Sequence, residues 1–297
     1  MADYMVRAMD ESGSIRAFVA TATALADEAR RRHDTWPTAT AALGRALTGT
    51  ALLSATLKDE GESITLRLAG DGPIGGITCD ADEQGQVRGF VREPHVDLDP
   101  KNGKFDVAGA VGGGYVHITR QLAIEGIYTG TSEIVSGEIG DDLAYYLTKS
   151  EQTPSAVSLG VRVAPDGSVR AAGGVLLQLL PATSEEEREQ LEVNLQALGA
   201  VSMAVESGMT PEEILGSVLA GIPYKILEKR DIHFACRCTR ERALSSLASL
   251  SKDDLHEMIH EDGGAELVCQ FCAEKYQFSA DELREIHGDT KGTAPGH

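Results

Sequence analysis

Apolar and polar positions alternate through residues 3 to 22, with Ile15, Ala17 and Val19 set against Arg16, Phe18 and Ala20. This predicts two short strands joined at the polar turn Asp10-Glu11-Ser12-Gly13. From Thr23 to Leu57 the period becomes helical, with an interruption at Trp36-Pro37. The second of these helices, Thr38 to Leu57, carries Ala, Gly, Thr and Leu on nearly every face and so belongs in the interior. Strand patterns return at Ile64 to Leu68, Ile77 to Asp80, Gln86 to Arg92 and Tyr115 to Leu122. Their short connections predict an antiparallel sheet. A helix over Asp141 to Ser150, and a hairpin at Pro165-Asp166-Gly167 leading into Ser168 to Leu180, complete a mixed, mainly antiparallel α+β domain over residues 1–180.

Beyond Pro181 the pattern is helical again. Ser184-Glu185-Glu186-Glu187 is a capping box, and Leu191, Leu195, Leu198 and Val205 form an apolar stripe broken by Ser202. A second helix opens at Thr210-Pro211 with proline in its first turn, presents Ile214, Leu215, Val218 and Leu219, and stops at Gly221 and Pro223. Two short amphipathic helices need a surface to lie on, so residues 181–231 are expected to be a helical linker packed against the main domain. Residues 232–287 then form a small C-terminal module, in which Ser251 with Asp254 and Ser279 with Glu282 mark helix starts and Leu255, Met258 and Ile259 share a face. Residues 288–297 read as a polar, disordered tail.

With 297 residues the chain is long enough for such a division. It carries 27 basic and 46 acidic residues, net −19, a surplus that repels phosphate backbones and anionic membranes. Its N-terminus lacks an apolar core of signal-peptide length, and no run of apolar residues is long enough to cross a bilayer. A soluble, cytoplasmic protein is expected. In that reducing compartment its five cysteines are unlike structural disulfides.

Four of the five fall in the last quarter: Cys236 and Cys238 as C-x-C, then Cys269 and Cys272 as C-x-x-C, with 30 residues between the pairs. Two close thiol pairs match the needs of a tetrahedral Zn²⁺ site, and a module this small needs such a staple. An iron-sulfur cluster is the other occupant that four thiolates permit, but the narrow C-x-C favours zinc. Four thiolates leave no open coordination position, so one zinc per chain would be structural and not a Lewis acid for a substrate. Because the C-x-C sulfurs are near enough to oxidise to each other, spacing leaves a redox role and a purely structural role both open.

The sequence resembles the 33 kDa chaperonin family, the bacterial redox-regulated heat-shock chaperones, over essentially its whole length. The resemblance rests on Cys236-Arg237-Cys238 and Cys269-Gln270-Phe271-Cys272. Supporting segments are Arg31-Arg32-His33-Asp34-Thr35-Trp36-Pro37-Thr38, Glu133-Ile134-Val135-Ser136-Gly137-Glu138, and Tyr145-Tyr146-Leu147 with Ser150-Glu151-Gln152. It implies a reduced, zinc-bound, inactive form in which Cys236, Cys238, Cys269 and Cys272 are all ligands. It also implies an oxidised form with disulfides Cys236 to Cys238 and Cys269 to Cys272. The activity implied is that of an ATP-independent holdase, not an enzyme, that captures unfolding proteins as a homodimer under heat or oxidative stress. Cys79 matches no cysteine of the family and receives no role. The physics agrees: structural zinc contributes roughly 10 to 16 kcal/mol in small peptides, against about 5 to 15 kcal/mol for the stability of a whole domain. Oxidation of the ligands would therefore unfold the module and bare the apolar stripes of the linker for clients.

Other signals weigh less. His256-Glu257-Met258-Ile259-His260 is a literal H-E-x-x-H, the pattern of many zinc peptidases, but it lies between the cysteine pairs in a module too small for a substrate cleft. Solvent-facing histidines are expected there. Gly70-Asp71-Gly72-Pro73-Ile74-Gly75 fits G-x-G-x-x-G, yet strand-like residues follow it where a dinucleotide fold needs a helix, and Gly112-Gly113-Gly114 lacks the lysine of a phosphate loop. His233, three residues before Cys236, is a candidate to replace a ligand, but four thiolates already fill a tetrahedron, so a surface or core histidine is expected. Arg30-Arg31-Arg32 reads as a solvated helix end. A nucleic-acid-binding zinc ribbon is the remaining rival, but from residue 232 onward 7 basic residues face 12 acidic ones, net −5, the wrong sign for that partner.

Overall fold

The computed structural model describes residues 2–287; the tail expected over 288–297 lies outside the described residues. The chain forms two compact units that divide between Ala235 and Cys236.

In the first unit β1 (Tyr4–Asp10) and β2 (Ile15–Thr21) form the expected hairpin, followed by α1 (Thr23–His33) and α2 (Pro37–Ser54). The strands β3 (Ser63–Gly70), β4 (Ile77–Asp82) and β5 (Gln86–Val91) lead to the short helix α3 (Val107–Val111) and the hairpin β6 (Gly114–Leu122) and β7 (Gly126–Glu133). Then come α4 (Gly140–Lys149), β8 (Ser155–Val163) and β9 (Val169–Leu179). The helices α5 (Glu185–Leu198), α6 (Val201–Glu206) and α7 (Pro211–Val218) precede β10 (Tyr224–Asp231) and β11 (His233–Phe234).

These strands make two sheets where the sequence suggested one, because short connections reveal orientation but not which edges meet. One sheet has the order β10-β1-β2-β9-β8, the other β11-β5-β4-β3-β6-β7. All pairings are antiparallel except β11 with β5. Helix α2 touches strands of both sheets, and only Pro37 and Arg45 escape burial along it. Its small residues follow from that position. A Cβ on Gly44 would come within 2.9 Å of Val161, and one on Gly174 of β9 within 2.9 Å of Leu52, so backbone and helix approach only because these side chains are missing.

The five-stranded sheet is covered on both faces. Met5, Phe18, Ala20 and Leu176 join the core around α2, while Val6, Ala8, Ala17, Val19, Val175 and Leu177 point the other way. Against that second face lie Leu191 of α5, Val201 and Ala204 of α6, and Ile214, Leu215 and Val218 of α7. The stripes read from the sequence are therefore buried on a sheet. The capping box read at Ser184 with Glu187 forms, and the structure adds a second one, Thr210 with Glu213. Gly199, with φ at +67°, separates α5 from α6 where a single stripe was read. The stretch expected to be a helical linker also supplies a strand, β10, paired with β1. Gly70, Gly72 and Gly75 lie at the turn between β3 and β4, and a strand follows them. A Cβ on Gly70 would sit 2.0 Å from the Val111 carbonyl oxygen, so the glycine serves backbone packing.

The second unit contains α8 (Arg240–Leu247), α9 (Lys252–His260), the hairpin β12 (Gly264–Val268) and β13 (Lys275–Ser279), and α10 (Ala280–His287). Ala243, Leu247, Ile259, Phe278 and Leu283 make up its buried cluster. That is little apolar material for some 50 residues.

Candidate metal centre

The hairpin of the second unit builds half of the site. Leu267 pairs with Tyr276 and Val268 with Lys275, and the residues between Val268 and Lys275 form a tight knuckle. Its amides close on themselves: Cys269 N–H donates to the Glu274 carbonyl at 2.9 Å, and Ala273 N–H to the Cys269 carbonyl at 2.8 Å. Ala273 takes φ of +57° to complete the turn. Both thiols of C-x-x-C thus sit at the tip of one hairpin. The C-x-C half lies in the segment just before α8, whose cap Thr239 accepts from Arg242 N–H. Arg240 fastens this segment across the hairpin: it donates to the Gln277 carbonyl at 2.7 Å, pairs with Glu282 at 2.5 Å and lies 4.3 Å over the Phe278 ring.

The four sulfurs converge. Cys236 Sγ is 3.7 Å from Cys269 Sγ, Cys238 Sγ is 3.3 Å from Cys272 Sγ, and all four lie within 4.8 Å of one another. A tetrahedral ion at about 2.3 Å from each sulfur requires S–S edges of about 3.8 Å. Disulfide sulfurs would sit about 2.05 Å apart, and all four cysteines are free thiols. Burial pushes the Cys269 and Cys272 thiols up from the ordinary value, so bare thiolates are disfavoured there. A cation of high charge density reverses that preference and deprotonates a coordinating thiol outright. The donor set and its spacing fit a thiophilic, tetrahedral metal ion.

Among the described residues these cysteines are the one group of three or more possible metal ligands. His256, Glu257 and His260 are exposed on α9, the two rings 4.2 Å apart, and they do not join the sulfurs. Leu255 and Ile259 turn inward instead. Among the described residues no third ligand joins them, so the peptidase reading lacks its metal site. His233 is exposed on β11 in the first unit. Cys79 is fully buried on β4, where desolvation raises its thiol well above the usual range. Sequence reasoning missed one member of the site, Tyr276, whose hydroxyl donates to Cys238 Sγ at 3.2 Å. The one trace of it in the sequence is the alternation Tyr276-Gln277-Phe278 four residues after the last cysteine, which marks a strand returning past the thiols.

Comparison with known proteins decides the family. The family model described as Hsp33 protein matches residues 3–279. The chain belongs to the Hsp33 family. It is 64% identical to the 33 kDa chaperonin of Symbiobacterium thermophilum over 98% of this chain and 99% of that protein. It is 48% identical to the 33 kDa chaperonin of Desulforamulus reducens, over 96% and 97% of the two chains. The crystal structure of the 33 kDa chaperonin of Thermotoga maritima superposes with a TM-score of 0.91 at 35% identity, covering 97% of this chain and 99% of that one. As an Hsp33 protein the chain is a redox-regulated holdase chaperone with a four-cysteine metal-binding site, and not an enzyme. No helix among the described residues is long and apolar enough to cross a membrane.

Proposed function

We propose that Cys236, Cys238, Cys269 and Cys272 hold one Zn²⁺ per chain, and that this ion keeps the reduced chaperone inactive. Zinc, when bound, would supply the charge that keeps these partly buried sulfurs as thiolates and would close the second unit around itself. The observation that supports this most directly is the near-tetrahedral spacing of the four sulfurs, none at disulfide distance.

Activation follows from the chemistry of those thiolates. A thiolate attacks the O–O bond of hydrogen peroxide, gaining oxygen as a sulfenic acid while hydroxide departs. The neighbouring thiolate of the same pair then displaces a second hydroxide from that sulfur, and the two sulfur electrons lost per disulfide balance the reduction of peroxide. Cys236 would pair with Cys238 and Cys269 with Cys272, as in the family. The four sulfurs then no longer hold the ion, and the cluster of Ala243, Leu247, Ile259, Phe278 and Leu283 is too small to keep the unit folded. We place client capture on the apolar faces of α5 to α7 and on the sheet face beneath them, released once the chain that follows them has unfolded. The clients are unfolding proteins, the active form is a homodimer, and the compartment is the cytoplasm. Net charge argues against nucleic acid and anionic membranes as partners.

The decisive experiment counts zinc and free thiols on the full chain before and after peroxide. One zinc with four protected thiols, falling to no zinc and two disulfides, is expected. Aggregation of citrate synthase should be suppressed by the oxidised protein and not by the reduced one. Peroxide treatment that leaves the zinc in place would overturn the proposal. Sedimentation of both forms tests the dimer.

A further inference from the structure

The sulfurs of the site differ in what hydrogen-bonds them. Cys269 is served by the backbone amides of Phe271 and Cys272, and Cys272 by the amide of Glu274, all within the knuckle. Cys238 belongs to the other segment, and its donor is a side chain from the hairpin: the Tyr276 hydroxyl at 3.2 Å. That hydroxyl is held by more than its own bond. Tyr276 pairs with Leu267 across β12 and β13, and its half-buried ring packs on the small core of the unit. The strand thereby aims the O–H at a residue 38 positions away.

A hydrogen bond donated to a thiolate draws electron density from sulfur. It orients the ligand toward its metal, and it weakens the sulfur as a nucleophile toward peroxide oxygen. We propose that Tyr276 is a positioning residue that fixes Cys238 and slows its oxidation, setting how much peroxide is needed to open the switch. The step it restrains is the attack of Cys238 Sγ on hydrogen peroxide, in which an S–O bond forms, the O–O bond breaks and hydroxide leaves. The inference rests on the four-thiolate metal site proposed above.

The test uses the full chain and Tyr276→Phe, which keeps the ring and removes the donor. With Co²⁺ loaded in place of zinc, the sulfur-to-cobalt charge-transfer band of the variant should move to longer wavelength, a shift that lost packing alone would not produce. With zinc loaded, peroxide-driven metal release read by a chromogenic chelator should quicken by about tenfold, the low end of the range for such outer partners. Sulfenic acid trapped at Cys238 and mapped by mass spectrometry should appear earlier than in the parent. A second variant with 3-fluorotyrosine at position 276, a stronger donor in the same shape, should move band and rate the opposite way. If both variants match the parent in band and in release rate, the role of Tyr276 is overturned. If the parent itself shows no thiolate-to-cobalt band, the four-thiolate reading falls and this inference with it.

Discussion

Asp142 shows what the segments that resemble the family outside the cysteines are for. Its Oδ1 accepts from Val135, Ser136 and Gly137 N–H at 2.8, 2.9 and 3.3 Å, and its Oδ2 from Ile139 N–H at 3.0 Å. One buried carboxylate thus gathers the loop Glu133 to Glu138. Likewise Glu151 takes a forked ion pair from Arg120, whose other arm reaches Thr56 Oγ1 at 2.9 Å. Asp142→Ala would leave several buried donors without an acceptor, at about 1 to 3 kcal/mol each, so a loss of at least about 3 kcal/mol is expected in urea unfolding of the first unit. A change under 1 kcal/mol would show that water takes over these amides. Glu62 adds a pH dependence: its carboxylate accepts from Lys58, Asp59 and Ala123 N–H, which lower its pKa from the ordinary 4.5. A depressed folded pKa contributes stability above the unfolded value that disappears as pH falls through the folded one. Glu62→Gln should therefore flatten the loss of stability below pH 4.5, measured by denaturant titration at each pH. At this scale the four cysteines were legible because ligand chemistry depends on residue type and local spacing. Tyr276 and Asp142 were not, because each acts on atoms that only folding brings near.

On the function proposed above, regulation turns on the helices α5 to α7, whose docking has both apolar and polar parts. Ile214, Leu215 and Val218 are fully buried against the sheet. Asn194 of α5 donates to the Val218 and Ala220 carbonyls at 2.8 and 2.9 Å and so caps the end of α7. The Tyr4 hydroxyl of β1 donates to Glu212 at 2.6 Å, and Lys229 of β10 reaches the same carboxylate at 3.1 Å. Leu215→Ala removes buried side-chain volume worth about 2 to 5 kcal/mol. Because that loss falls on the docked state, the reduced variant is expected to bind a hydrophobic dye and to suppress client aggregation without peroxide. Global unfolding at lower denaturant, with no gain in holdase activity, would show that these helices do not gate the client surface. Helix α6 was merged into the stripe of α5, but α5 and α7 were readable because caps and apolar spacing are local signals. The strands β7, β12 and β13 and helix α8 were not: β7 presents mostly exposed residues, β12 and β13 have five residues each, and the stripe of α8 is short. That the chain makes two sheets was equally hidden, since edge pairing is a long-range choice.

At the scale of the whole molecule the two units differ in what stabilises them. The first has an apolar core on either side of its five-stranded sheet, one built around α2 and one beneath α5 to α7. The second has one small cluster and a knot of four sulfurs. Domains with so little buried surface fold only with a staple, whereas a unit of more than 200 residues folds on its apolar core. Metal removal should therefore unfold the second unit while the core around α2 stays folded. With a strong chelator under reducing conditions, hydrogen exchange over residues 239–287 is expected to lose its protection, while β1, β2, β9 and α2 exchange as slowly as before. Calorimetry should show one transition vanish and the other persist. The chelated protein should also remain soluble, since net −19 opposes association of chains that have bared apolar surface. A single cooperative transition, moved as a whole by the chelator, would mean that the units fold as one and that the metal stabilises the entire chain. A C-terminal unit that keeps slow exchange without metal would mean that its five-residue cluster suffices, and oxidation of the sulfurs could then not open it.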